Sequence, residues 1–173
     1  MSYSVIKAIW PKETQADIKM LSNSHGVAPV IWNELCKKYL NQPDFGWIIE
    51  GVLDKIFVRW NDLSIPEYHR SLLLMTYSGS YITKENYSRA ANDIANFFVD
   101  FHVPDNRVNH WFVIQQFLES NPDYPAIAIY QTSVDEDPFQ GDWNDEKQMF
   151  DSTNWDKTFD IYLELDDLKR DEL

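Results

Sequence analysis

A chain of 173 residues that is 44% hydrophobic and 15% aromatic holds enough apolar material to bury about two-thirds of its unfolded surface, so one domain over 1–173 is expected. No run approaches the roughly 20 apolar residues that span a bilayer, and residues 1–10 lack the basic and apolar regions of a secretory signal, which predicts a cytoplasmic protein without membrane contact. The net charge of −13 disfavours direct binding to nucleic acid, and the single cysteine, Cys36, excludes an internal disulfide framework and a thiolate zinc cluster.

The charge is unevenly placed. Residues 1–122 carry 13 acids and 11 bases, whereas residues 123–173 carry 15 acids and 4 bases, a net of −11. Such a surface repels phosphate backbones and anionic membranes and draws a basic protein towards itself, with association rates that salt suppresses. The competing reading is a solvated face that keeps the protein in solution. The closing Lys169-Arg170-Asp171-Glu172-Leu173 is similar to an endoplasmic-reticulum retrieval tail, but that signal acts only after entry into the secretory path, and we read it as chance.

Along the chain, Tyr3 to Trp10 alternates and is rich in β-branched and aromatic residues, predicting a strand stopped by Pro11. Thr14 to Leu21 reads as a short helix, followed by a turn at Ser22-Asn23-Ser24-His25-Gly26. A helix over Val27 to Leu40 follows, with Pro29 in its first turn and Val27, Ile31, Leu35 and Tyr39 on one face. Phe45 to Trp60 has helical spacing at Ile49, Leu53, Ile56, Phe57 and Trp60, although Gly46, Gly51 and the β-branched content leave a strand open. A cap and proline at Ser64-Ile65-Pro66-Glu67 start a helix over Tyr68 to Tyr77. Another begins at Thr83-Lys84-Glu85-Asn86, with Tyr87, Ala91, Ile94, Phe98 and Phe101 on one stripe. A further helix runs from Arg107 to Glu119, its apolar side formed by Val108, Trp111, Phe112 and Leu118. Beyond Pro122 the period shortens. Ala126 to Thr132 suits a buried strand, and Thr158 to Leu165 alternates, with Phe159, Ile161, Leu163 and Leu165 on one face. The expected fold is α+β: a helical body of about four to five helices on a small, mostly antiparallel sheet formed by the N-terminal and C-terminal strands.

No residue pattern declares a chemistry. His25, His69, His102 and His110 fall on different predicted elements, without the paired spacing of a helix-borne zinc site. Cys36 sits beside Lys37 and Lys38 but lacks a flanking nucleophile signature. Ser78-Gly79-Ser80 lacks the two glycines of a nucleophile elbow and reads as a loop between two helices. The five glycines are too scattered to cradle phosphate. Residues 135–146 place acids at the first and third positions and Glu146 at the twelfth, as in a calcium loop. Phe139 then occupies a ligand position, and Gln140 stands where the sharp turn needs glycine. No cofactor is expected and no enzyme activity is assigned. The best enzymatic case is a carboxylate pair, Asp166-Asp167 or Asp142-Asp145, in a pocket.

The segment Asp135 to Asp156 interleaves acids with Phe139, Trp143, Met149, Phe150 and Trp155. Charge steers an encounter and large aromatics supply desolvated anchors, so this mixture predicts a binding patch formed by Asp135, Glu136, Asp137, Phe139, Asp142, Trp143, Asp145, Glu146, Asp151, Trp155 and Asp156. The alternative is that the aromatics fold back over the sheet while the acids stay wet.

A small, markedly acidic α+β chain of this character, with Asp135 to Asp156 as its focus, resembles the bacterial immunity proteins encoded beside contact-dependent growth-inhibition or other polymorphic toxins. The resemblance implies a tight complex with a basic toxin domain, often a nuclease. It says little about architecture, because that class has many folds. The second expectation is a nucleic-acid mimic or anti-defence protein whose carboxylates imitate phosphates before a DNA-binding protein. That design favours acids along one long face, where duplex phosphates recur at about 3.4 Å per strand.

Overall fold

The computed structural model describes residues 2–103, 109–131 and 137–173. In chain order the elements are β1 (Tyr3–Trp10), β2 (Thr14–Ser22), α1 (Ala28–Leu40), α2 (Val52–Phe57), α3 (Glu67–Met75), β3 (Ser80–Thr83), α4 (Tyr87–Asp100), α5 (Trp111–Glu119), β4 (Ala126–Gln131), β5 (Trp143–Asn144), β6 (Met149–Phe150), β7 (Phe159–Asp160) and α6 (Ile161–Asp171). The fold is α+β. Six α-helices among the described residues, one more than the upper end of the expectation, pack on a five-stranded sheet of order β2-β1-β4-β3-β7, antiparallel except for the β3–β7 pair.

The sheet is built around β1, every residue of which is buried between Ser4 and Ile9. Alternation sends Ile6 to one face and Lys7 and Ile9 to the other, and the register with β4 pairs Ile6 with Ile129, Lys7 with Ala128 and Ile9 with Ala126. The N-terminal strand therefore pairs with a C-terminal one, as expected. The short helix expected over Thr14 to Leu21 is instead the edge strand β2. Its helix-forming residues are overridden by a tight turn, in which Glu13 N–H donates to the Trp10 carbonyl at 2.9 Å and Lys12 takes φ 64°, and then by pairing along β1. Between Ile6↔Lys19 and Lys7↔Asp17 the register slips, leaving Ile18 as a bulge that bends the free edge of the sheet away from straight pairing.

The helices cover one face. Ile6, Ile82, Ile127 and Ile129 meet Trp32 and Leu35 of α1, Leu72 and Leu73 of α3, Ile94 and Phe97 of α4, Trp111 and Ile114 of α5, and Ile161 and Leu165 of α6 in one apolar core. The expected helix over Phe45–Trp60 is broken into a 3-10 turn at Gly46–Ile48, α2, and a second 3-10 turn at Val58–Asn61; Gly51 at φ 77° accounts for the first break. The helix expected from Arg107 begins at Trp111, with Arg107 and Val108 outside the described residues. Residues 78–80 lead from a helix into the strand β3, not between two helices; of the predicted helix start, Thr83 ends β3, Lys84–Asn86 form a 3-10 turn, and α4 follows from Tyr87.

The predicted strand Thr158–Leu165 survives only as β7, and the rest is α6. Asp160 caps the helix, its Oδ1 accepting from the N–H groups of Tyr162 at 3.0 Å and Leu163 at 3.3 Å. Ile161, Tyr162 and Leu165 are buried while Leu163 is exposed, which is a helical period. A buried polar knot fixes α6 to the body. The Asp93 carboxylate accepts from Ser71 Oγ and Tyr162 Oη, each at 2.7 Å, and burial holds its carboxyl above the usual range. Outside this knot, Arg89 lies over the Tyr162 ring and pairs with Glu67 and Asp166. No helix among the described residues is long and apolar enough to cross a membrane.

Candidate functional site: an acidic lobe on the open face of the sheet

On the second face of the sheet the segment before β7 folds over the centre through Asp137, Phe139 and Trp155. Phe139 is 2% exposed and packs with Ile9, Ala126 and Ala128, and Tyr81 and the half-buried Trp155 close over this small cluster. The Phe139 and Trp155 rings stand 6.2 Å apart. Beside them Lys7, its side chain only 4% exposed, pairs with Asp17 at 2.6 Å and Asp137 at 3.0 Å, donates to Gln15 Oε1 at 2.9 Å and lies 5.3 Å from the Tyr130 ring centroid. A buried ammonium needs such compensation, so these contacts clamp the start of the lobe to the centre of the sheet.

Two residues expected at a binding surface are therefore internal. Phe139 is part of the cluster under the lobe, and Asp137 is occupied by Lys7. For Phe139 the fold-back alternative is the observed arrangement, because the face of the sheet carrying Ile9, Ala126 and Ala128 would otherwise be bare. Trp155 is intermediate, leaning on that cluster while keeping part of its ring at the surface. Asp135 and Glu136 lie outside the described residues.

Of the remaining predicted residues, Asp142, Trp143, Asp145, Glu146 and Asp151 gather on a small hairpin, while Asp156 lies in the 3-10 turn Trp155–Lys157. β5 and β6 pair Trp143 with Phe150 and Asn144 with Met149. Residues directly opposite in an antiparallel pair share a face, and the Trp143 and Phe150 rings meet edge to face at 5.1 Å. Trp143 is nevertheless 49% exposed, Met149 56% and Phe150 46%. The hairpin has a set shape. A Cβ at Gly141 would fall 2.2 Å from the Asp151 carbonyl, so only glycine fits there. Gln148 takes φ 51° at the turn, Trp143 Nε1 donates to Asp145 Oδ1 at 2.9 Å, and Asp151 accepts from Lys147 Nζ at 3.0 Å and from Asn144. The Lys147 contact holds the Asp151 carboxyl below the usual range. Asp142, Glu146 and Asp156 are exposed, and no salt bridge or side-chain hydrogen bond engages their carboxylates among the described residues. Sequence reasoning brought together Asp142, Trp143, Asp145, Glu146 and Asp151, and the hairpin places all five on one protrusion. It missed Lys7 as the anchor, although a lone lysine amid an apolar strand is the signal of a buried pair.

Other chemistry is poorly provided for. Among the described residues no group of three or more His, Cys, Asp or Glu side chains is placed to hold a metal ion. Burial pushes the Cys36 thiol up to about 11, away from thiolate reactivity. A relay-like chain links Tyr39, His69 and Asp100: His69 Nε2 donates to Asp100 at 2.8 Å, leaving Nδ1 to accept from the Tyr39 hydroxyl at 2.6 Å. His69 is 1% exposed and ringed by Tyr68, Phe97 and Phe101. The Tyr39 hydroxyl is pushed up to about 12, chiefly by burial, so this chain ties α1, α3 and α4 together without offering an activated nucleophile.

What the fold and site define is an α+β body carrying an acidic hairpin lobe with an exposed aromatic pair at the base of the hairpin. No protein-family model, curated protein or solved structure matches the chain.

Proposed function

We propose that this chain is a cytoplasmic immunity protein, without catalytic activity of its own, that binds and neutralises a basic toxin domain through the acidic lobe. The observation that carries the reading is the exposed Trp143–Phe150 pair on a hairpin where, among the described residues, Asp142 and Glu146 have no counter-charge. An aromatic pair left in water costs hydrophobic free energy, and a partner surface recovers it. The flanking carboxylates attract a basic partner and disfavour an acidic one. The clustering of these groups at one protrusion fits a protein contact better than a phosphate-spaced mimic of nucleic acid, which needs acids along a face.

The test is a tagged pull-down with the product of the adjacent gene, washed at low and then high salt, using the natural chain and a D142N/D145N/E146Q variant. Recovery of one basic protein whose activity the chain suppresses, with slower association by the variant, is the expected result. An adjacent product that neither binds nor is inhibited by the well-folded chain would overturn the assignment.

A further inference from the structure

Next to the lobe, where it returns to the helical body, lies a groove of about 380 Å³ between the 3-10 turn after α2, the end of α3, and the segment running through β7 into α6. Its apolar walls include Trp60, Tyr77 and Phe159, and its polar rim carries Asp156, Lys157 and Glu164. The walls are held from behind. Buried Arg70 donates to the carbonyls of Trp60 at 3.3 Å and Ile65 at 3.0 Å. The Tyr77 hydroxyl turns inward to donate to the Phe57 carbonyl. The Tyr77 and Phe159 rings meet edge to face at 6.1 Å, and Phe159 N–H donates to the Gly79 carbonyl at 3.0 Å. Gly79 itself, at φ 84°, leaves only 2.5 Å between an added Cβ and the Lys157 carbonyl, so the backbone of the rim is fixed against the loop. Asp156 and Glu164 are both exposed, and no salt bridge or side-chain hydrogen bond engages their carboxylates among the described residues.

We propose that this groove receives an arginine side chain of the basic partner, its guanidinium against the aromatic walls and its N–H groups on Asp156 and Glu164. Three aromatic side chains beside two carboxylates without counter-ions match a cation carrying a flat apolar surface. The guanidinium is planar, weakly hydrated and able to donate to two carboxylates at once, whereas the compact ammonium of lysine holds its water more strongly. Among the described residues Lys157 is the one cation lining the rim; it is exposed, and its long stem can carry the ammonium into solvent. The inference rests on the binding of a basic protein proposed above and deepens it. It extends the contact surface from the hairpin, through Asp156, to α6, which the sequence reading had not included.

The experiment is an NMR titration of the full chain labelled at its tryptophan indoles, with Trp60 reporting the groove and Trp143 the hairpin. The probes are a capped peptide carrying three arginines and its lysine and citrulline counterparts. A saturating shift of the Trp60 indole with the arginine peptide is expected, weaker with lysine and absent with citrulline. The D156N/E164Q variant, which alters only exposed side chains, should bind the arginine peptide about tenfold more weakly. A silent Trp60 with a moving Trp143 would overturn the groove and leave the hairpin reading standing. A moving Trp60 with a silent Trp143 would support the groove and count against the hairpin. Silence at both, or equal shifts with the citrulline peptide, would overturn the groove, and silence at both would remove the hairpin reading too.

Discussion

The helix-facing side of the sheet meets elements α1, α3, α4, α5 and α6 through a continuous apolar core in which Ile6, Ile127 and Ile129 are buried among large side chains. Among the described residues, the lobe-facing side is covered by the fully buried Phe139 with Tyr81 and the half-buried Trp155 beside it, and by Lys7 paired with Asp137 and Asp17. A core assembled from many contacts gives cooperative stability, whereas a cover resting on two or three gives a unit that opens locally at lower free energy.

The largest effect should come from comparing a truncation on each face. Ile6→Ala and Phe139→Ala each delete a fully buried side chain, with costs of about 2–5 and about 3–5 kcal/mol respectively. The difference lies in where the cost falls. Ile6→Ala should lower the midpoint of the whole unfolding transition, while Phe139→Ala should release amide protection first across residues 137–157, ahead of β7, as hydrogen exchange read by mass spectrometry would show. Equal, global loss of protection in both variants would erase the distinction between the faces.

A smaller effect is expected at the clamp. Asp137→Ala leaves the buried Lys7 ammonium with Asp17, which is 65% exposed at its side chain, and should cost about 1–3 kcal/mol, the range for removing a partner from a charged hydrogen-bonded group. Lys7→Met combined with Asp137→Ala should recover part of the loss, because the uncompensated charge is then gone. Chemical denaturation of the single and double variants measures this, and a double variant less stable than Asp137→Ala would contradict the clamp.

A pH comparison separates the body from the lobe. Burial depresses the His69 imidazole below its ordinary value despite its bond to Asp100, so the folded chain favours the neutral ring. That contribution is present above the unfolded value near pH 6.5 and is lost as the pH falls through the folded value. Asp93 acts in the opposite sense. Burial raises its carboxyl, so its contribution is present in acid and lost as the pH rises through its folded value. Melting temperatures of the natural chain should therefore fall between pH 7 and 5 more steeply than those of His69→Gln, a comparison in which Asp93 cancels. Parallel profiles would remove His69 from the account.

The parts of the fold legible in the sequence are those where periodicity had one reading. β1, α1, α4 and β4 each form where their patterns place them, although β1 is buried on both faces and the buried stripe of α4 runs through Phe97, with Phe98 and Phe101 only half-buried. The parts that escaped had two. Thr14–Leu21 has helix-forming residues but lies beside a strand needing a partner, and only the turn at Lys12 decides between them. Ile161 and Leu165 satisfy both an alternating strand and a helical i, i+4 pair, and the Asp160 cap resolves them as α6. In the candidate site the carboxylates of the hairpin were visible because charge is local. The inward turn of Phe139 and Asp137 depends on the bare face of the sheet and on Lys7, which lies 130 residues from Asp137.

The central claim is that the hairpin's aromatics serve a partner and not the core. Trp143→Ala tests it most directly when the melting temperature and the dissociation rate from the toxin domain are measured on the same preparation. A stability change within about 0.5 kcal/mol together with dissociation at least about tenfold faster, equivalent to about 1.4 kcal/mol of binding, is the predicted result. A substantial loss of thermal stability with an unchanged dissociation rate would assign Trp143 to the fold and contradict the account.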